Sequence, residues 1–268
     1  MYWQKRFDRE NPDTFNEEKI KTIFNSHEGR VGYRRIDIQL REENIIVNHK
    51  KIKRIMKKLG LICVKYTRKS RKYSSYRGTV GKVAKNRIHR RFYTSIPHQK
   101  ITTDTTEFKY YEKQANGTIQ IKKLYLDPFM DLFNSEIISY RISERPNAQA
   151  IQEGQRDAIE RTEDCPYRRT FHSDQGWAYQ MKSYTKTLKK HKIYQSMSRK
   201  GNCLDNSPME NFFGILKQEM YYGEIFSSYH SLKEAIEEYI NYYNKYRIKT
   251  KLKCSPVTYR KKHQLLSA

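Results

Sequence analysis

Arg168-Arg169-Thr170-Phe171-His172-Ser173, followed at once by Asp174-Gln175-Gly176, is the stretch that most limits what this chain can fold into. The run reads as a short strand, and Asp-Gln-Gly stops it as a turn, which leaves Asp174 at the strand's carboxyl end. In open α/β sheets, ligand sites lie outside that end of the strands. With thirty-five residues between it and Asp174, Glu210 falls within Ser207–Lys217. Met209, Phe212, Phe213, Leu216 and Met220 recur there at helical period as one apolar stripe. Glu210 and Lys217, seven residues apart, share another face about two turns apart. A third carboxylate, Asp104, sits in Thr102-Thr103-Asp104-Thr105-Thr106-Glu107-Phe108. Carboxylates on separate elements can gather around hard divalent cations, which prefer oxygen ligands. Two such cations can serve the attacking and leaving oxygens of a phosphodiester. The implied chemistry is cutting and joining of DNA.

Spacing alone would not carry that reading. With ten Asp and nineteen Glu in the chain, roughly one Asp–Glu pair at this separation is expected by chance, the usual hazard of short motifs. Glu210 also has a plainer role available. Ser207-x-x-Glu210 with Pro208 at the first helical position fits a capping box, in which the Glu satisfies a backbone N–H. The strand, the turn and the upstream Asp104 together favour the metal-binding reading.

The 268 residues suit about two domains. The net charge of +25 is unevenly spread. Residues 1–43 hold nine basic and nine acidic residues, whereas residues 44–103 hold eighteen Lys and Arg and no acid. A basic block of that length implies a nucleic-acid partner through phosphate neutralisation and counterion release. The alternatives are a solvated tail or an anionic membrane surface. Tyrosine is abundant at 22 residues, which suggests stacking and hydrogen-bonding surface as well as core. Cys63, Cys165, Cys203 and Cys254 are scattered without zinc-finger spacing, so reduced thiols and a cytoplasmic, nucleoid-associated protein are expected. No signal peptide or membrane-spanning run is expected from the charged start and the lack of long apolar stretches.

The expected organisation is a helical domain over 1–62, a basic linker over 63–94 and a catalytic domain over 95–268. In the first, helices are expected at Glu17–Phe24, from Gly32 to near Asn44, and from Asn48 to Gly60. The last of these is capped by Asn48 and ended by Gly60. Ile52, Ile55, Met56 and Leu59 form its apolar face, leaving Lys50, Lys51, Lys53, Arg54 and Lys57 for a DNA groove, as in a helix-turn-helix. A solvated helical bundle is the alternative. The linker, Tyr66–Arg91, is expected to track DNA backbone.

In the third part, strands are expected over Ile101–Tyr111, Thr118–Asp127, Glu136–Ile142, Arg168–Ser173 and Ile193–Met197. Asn116-Gly117 supplies a hairpin turn. Helices are expected over Asn147–Arg161, Ala178–Lys190, Ser207–Tyr222 and Ser231–Tyr246. The order βββαβαβαα implies a mixed sheet covered by helices, an α/β class.

Gly32-Tyr33-Arg34-Arg35-Ile36, Lys58-Leu59-Gly60-Leu61, Thr103–Phe108, Tyr125–Phe133 and His172–Gly176 recur here in order. They are followed by Ser196–Asn202, by Asp205-Asn206-x-x-x-Glu210-x-Phe212-Phe213-x-x-Leu216-Lys217-x-Glu219, and by Ser255-Pro256-Val257-x-Tyr259-Arg260. Over nearly the whole chain this set resembles transposases of bacterial insertion sequences in the IS-three family, with an integrase-type, RNase H-like core. Ile101 is a departure, since the family usually has Trp just ahead of its first catalytic Asp.

The resemblance implies that Asp104, Asp174 and Glu210 are the metal-binding triad, holding two Mg²⁺ ions for which Mn²⁺ can substitute. It implies end cleavage and strand transfer without a covalent protein–DNA bond. Asp131 ranks below Asp104 as a ligand, being at a strand–turn junction and outside the family triad. His172 is expected to be structural rather than a general base, because metal can lower a water's pKa without it. Lys217 is expected near a phosphate at the cut, and Arg199 and Lys200 in a loop that approaches target DNA. The expected partners are the element's terminal repeats, target DNA, further copies of the chain, and an upstream-frame segment joined by frameshifting. Without that segment, binding is expected to be strongly salt-dependent and weakly sequence-selective. Two other classes remain: a catalytically inactive regulator, and a nuclease that cleaves without joining.

Overall fold

The computed structural model describes residues 11–63, 83–200 and 202–267. They fall into two compact units. Much of the expected linker, residues 64–82, lies outside the described residues. Among the described residues no helix is long and apolar enough to cross a membrane.

The first unit contains α1 (Thr14–Ser26), α2 (Tyr33–Glu42) and α3 (His49–Lys58). Asn48 caps α3, its side chain accepting Lys50 N–H at 2.8 Å. Gly60, at φ +65°, ends the helix in the left-handed region that favours glycine. Ile20, Ile23, Ile36, Leu40, Ile52 and Ile55 are buried together. Each such side chain contributes roughly 1.5–3 kcal/mol of burial. Segment Arg247–Cys254 also belongs to this unit, although the expected boundaries place it in the catalytic domain. Nothing local marks the excursion, because it depends on packing between residues far apart in the chain.

The second unit is a mixed sheet of β1 (Lys100–Thr103), β2 (Thr106–Lys113), β3 (Ile119–Asp131), β4 (Ile137–Ser143), β5 (Thr170–Ser173) and β6 (Tyr194–Met197). β1 lies between antiparallel β3 and parallel β5, β6 follows β5, and β4 pairs with the far edge of β3. The helices are α4 (Ala148–Glu160), α5 (Trp177–Gln180), α6 (Lys182–Lys190), α7 (Ser207–Leu216), α8 (Tyr229–Lys245) and α9 (Pro256–Ser267). Alternation along the strands sends side chains to two cores. Phe108, Leu124 and Leu126 meet Phe212, Leu216 and Ile236 on one side. Ile101, Phe129 and Phe171 meet Ile159, Tyr179 and Leu188 on the other. Ile101 is fully buried, so the smaller side chain at the departure from the family pattern still packs as core. This is the RNase H-like architecture.

Four details differ from the sequence expectation. The strand expected over Ile101–Tyr111 is broken at Asp104–Thr105. Pairing with β3 keeps one register across the break, Thr103↔Phe129 before it and Thr106↔Leu126 after it. That register sets Asp104 opposite Pro128, which has no N–H to give, and proline within a sheet marks an irregularity. The expected Ala178–Lys190 helix is two helices, separated by extended Met181. The Ser207–Tyr222 helix changes to a π turn over Lys217–Tyr221. Helix α9 was not expected, although Ser255-Pro256 is a start signal; Ser255 Oγ accepts Thr258 N–H there at 3.4 Å.

Residues 83–91, placed in the linker by sequence, dock onto the sheet edge. Ala84 N–H reaches Met197 Sδ at 3.4 Å, and Arg87 N–H reaches Ser196 Oγ at 2.9 Å.

Candidate active site

Asp104 follows β1 directly and Asp174 follows β5 directly. The parallel register Thr102↔His172, continued by two residues, places the two side by side at the carboxyl ends of neighbouring strands. Thr105 N–H donates to Asp104 Oδ1 at 2.8 Å. Gly176 N–H donates to Asp174 Oδ1 at 2.8 Å. Each carboxylate is thus aimed by its own turn and keeps further lone pairs for a ligand. Both line a cavity of about 270 Å³ with Thr105, Asp127, Trp177 and Tyr179. Gly176 is required there by close approach. A Cβ on it would lie 2.9 Å from Asp174 Oδ1 and 3.2 Å from the Tyr179 ring.

Glu210 stands half-buried in the first turn of α7. The capping box allowed by sequence does not form. Asn206, not Ser207, is the N-cap residue, and it makes no side-chain cap bond. The buried stripe Met209, Phe212, Phe213 and Leu216 anchors the helix to the sheet.

Burial pushes the Asp104 carboxyl well up, and the charges of Asp174, Glu210 and Asp127 push it further. Asp174 and Glu210 are likewise raised by burial. Asp104 therefore senses both other members. Glu210 does not line the cavity shared by Asp104 and Asp174, and among the described residues no three His, Cys, Asp or Glu side chains are drawn together at metal-holding distance. Like charges disfavour such closure. The acidic side chains nonetheless fit a hard divalent cation, for they offer oxygen alone and a positive ion would relieve their mutual repulsion.

Asp127 was missed. Its carboxylate accepts the Thr105 hydroxyl at 2.5 Å, and burial raises its pKa to about 6. A lone acid in the apolar run Leu124–Met130, directly before Pro128, was the available signal. Asp131, weighed by sequence as a rival ligand, is fully buried and accepts the N–H groups of His98 and Phe133 at 2.9 and 3.0 Å. It pairs with Ile101, three residues before Asp104.

His172 is fully buried. Its Nε2 faces the Asp205 carbonyl at 2.8 Å, which can only accept, so Nε2 carries the hydrogen. Nδ1 then accepts the Ser196 hydroxyl at 2.9 Å. Burial lowers the His172 pKa. With both nitrogens engaged, the ring is structural.

The residues expected to meet DNA are less uniform. Lys50, Lys53 and Lys57 are exposed on α3. Lys51 and Arg54 both pair with Asp13, Lys51 at 2.5 Å. Lys217 Nζ lies 5.0 Å from the centre of the Phe108 ring, within cation–π reach. Lys200 is exposed, while Arg199 is bound to buried Asp205 through Nε at 2.9 Å and Nη2 at 3.1 Å.

Residues 94–203 and 210–264 match integrase core domain families, and residues 10–70 match an HTH-like domain. The InsK protein of insertion sequence element IS150 of Escherichia coli K12 is 44% identical over 252 residues, covering 93% of this chain and 84% of that protein. A transposase-like protein of Haemophilus influenzae is 50% identical over 219 residues, covering 81% and 95%. Transposase InsF for insertion sequence IS3A of E. coli K12 is 32% identical over 231 residues, covering 85% and 75%. The chain belongs to the transposases of bacterial insertion sequences, in the IS-three family, with an integrase core and an HTH-like domain.

Proposed function

We propose that this transposase cleaves the ends of its element and joins them to target DNA at a site formed by Asp104, Asp174 and Glu210. The observation that carries the reading is that Asp104 and Asp174 stand side by side at the carboxyl ends of β1 and β5 and line one cavity, with Glu210 in the first turn of α7. Magnesium ions, or manganese in their place, would be held by these carboxylates and, when bound, supply Lewis acidity to the attacking and leaving oxygens. The chain's own residues supply the rest. Thr105 and Gly176 N–H groups orient the two aspartates. Asp127 steadies Thr105 across the interruption opposite Pro128.

DNA is the proposed partner, met by Lys50, Lys53 and Lys57 on α3, with Lys51 and Arg54 beside them in pairs with Asp13, and by Lys200 and Lys217 near the cut. Action as an oligomer on DNA, fusion to an upstream-frame segment and a place in the bacterial cytoplasm belong to the same proposal. The chain fused to the upstream-frame segment and incubated with duplexes carrying the element's ends should yield free 3′-hydroxyl ends and joined products in Mg²⁺, and neither with chelator, whereas the chain alone should do so poorly. Cleavage without joining would replace the reading by that of a nuclease.

A further inference from the structure

Two consecutive residues, Asp205 and Asn206, bond to the strands that carry Asp104 and Asp174 at their ends and lead directly into the helix that bears Glu210. They end the 3₁₀ turn Cys203–Asn206 that leads into α7, and both are buried. As N-cap residue, Asn206 would ordinarily accept an N–H of its own helix, but its side chain turns to β1 instead. Its Oδ1 accepts the Thr102 hydroxyl at 2.6 Å, and its Nδ2 donates to the Thr103 carbonyl at 3.2 Å. Those strand residues immediately precede Asp104. Glu210 is four residues past Asn206, about one helical turn away. The carbonyl of Asp205 accepts His172 Nε2 at 2.8 Å on β5, two residues before Asp174.

The Asp205 carboxylate holds this turn from outside. Oδ2 accepts the N–H and Nε of Arg199 at 3.0 and 2.9 Å and Asn86 Nδ2 at 3.1 Å. Oδ1 accepts Arg90 Nε at 2.8 Å and Arg199 Nη2 at 3.1 Å. The segment around residues 86–90 is thereby fastened to the loop before α7.

We infer that Asp205 and Asn206 are positioning residues that register Glu210 against Asp104 and Asp174, so that the carboxylates can act on one metal centre. This rests on the triad proposed above. Asn206 touches none of the three carboxylates in the bonds just described, and its effect is transmitted through β1 and the start of α7. Partners that orient metal ligands commonly change metal affinity by about 10–100-fold when removed.

The test is Mn²⁺ binding to the full chain, read by electron paramagnetic resonance of free Mn²⁺, alongside DNA affinity and circular dichroism. Asn206→Ala should weaken Mn²⁺ binding about tenfold or more, with DNA affinity and secondary structure retained. Thr102→Val, which removes the hydroxyl that donates to Asn206 and also lies 3.4 Å from the His172 carbonyl, should do the same, and Thr102→Ser should restore it. This pair decides the matter if Asn206→Ala does not fold. Wild-type Mn²⁺ affinity in folded Asn206→Ala or in Thr102→Val overturns the positioning role. Asp104→Asn separates the two readings. If it binds Mn²⁺ like wild type, the triad itself fails, and the positioning role with it. If it loses binding while Asn206→Ala and Thr102→Val do not, the triad stands and only the positioning role falls.

Discussion

Arg199 meets Asp205 edge-on, Nε to Oδ2 at 2.9 Å and Nη2 to Oδ1 at 3.1 Å, around a carboxylate with no exposed surface. The Arg199 hydrogen bond, and then that of Arg90, hold the Asp205 carboxyl well below the usual range. A depressed folded pKa gives stability that is present above the unfolded value and lost as pH falls towards the folded one. Asp205→Asn should therefore cost about 1.5–3 kcal/mol near neutral pH, the usual range for hydrogen bonds to charged groups. The deficit should shrink below a pH of about 4. Urea unfolding of both proteins at several pH values measures this.

The three candidate carboxylates predict the opposite sign. Burial raises Asp104, Asp174 and Glu210, so the folded chain resists their ionisation and loses stability as pH rises through their folded values. In metal-free protein at pH 7, Asp104→Asn should be more stable than wild type, on the order of 1 kcal/mol or more for each pKa unit relieved. The advantage should fade as pH falls and wild-type Asp104 becomes protonated. Added Mg²⁺ should raise the melting temperature of wild type and not of Asp104→Asn. Scanning calorimetry with and without Mg²⁺ gives both comparisons.

Gly176→Ala tests the close approach at the turn. Gly176 has φ −57°, so alanine meets no backbone strain, but its Cβ must displace the Asp174 carboxylate or the Tyr179 ring. Overpacking of this kind costs about 1–3 kcal/mol. Activity should fall more than stability, because Asp174 is the nearer obstacle. Melting temperature and cleavage rate measured on the same preparation show whether the two effects separate.

Much of this was legible from local pattern, and the remainder was not, for identifiable reasons. Asn48 and Gly60 bounded α3 because caps are short-range signals. Met209, Phe212, Phe213 and Leu216 announced a buried face through their period alone. The break at Asp104–Thr105 was hidden because the threonines around it all favour strands, and Pro128, which faces the gap, is 24 positions away. Tethering of Asn86 and Arg90 to Asp205 is a contact across more than a hundred residues, which no periodicity reports. Asp205-Asn206 was visible as part of a family motif, but its bonds to β1 and β5 required the fold.

Lys217 follows the end of α7, with Nζ 5.0 Å from the Phe108 ring centre. Lys217→Ala leaves the apolar stripe intact and should weaken crosslinking to terminal nucleotides, whereas Lys217→Arg should retain most of it. Equal crosslinking and activity in wild type and Lys217→Ala would remove Lys217 from the DNA surface.

The most direct test of the triad is a strand cleavage and joining assay on Asp104→Asn, Asp174→Asn and Glu210→Gln in Mg²⁺ and in Mn²⁺, with DNA binding measured in parallel. Removing one member of a set that acts as a unit is expected to cost several orders of magnitude. Each variant should therefore lose both cleavage and strand transfer while binding DNA about as wild type does. Full strand transfer by purified Asp174→Asn would contradict the assignment.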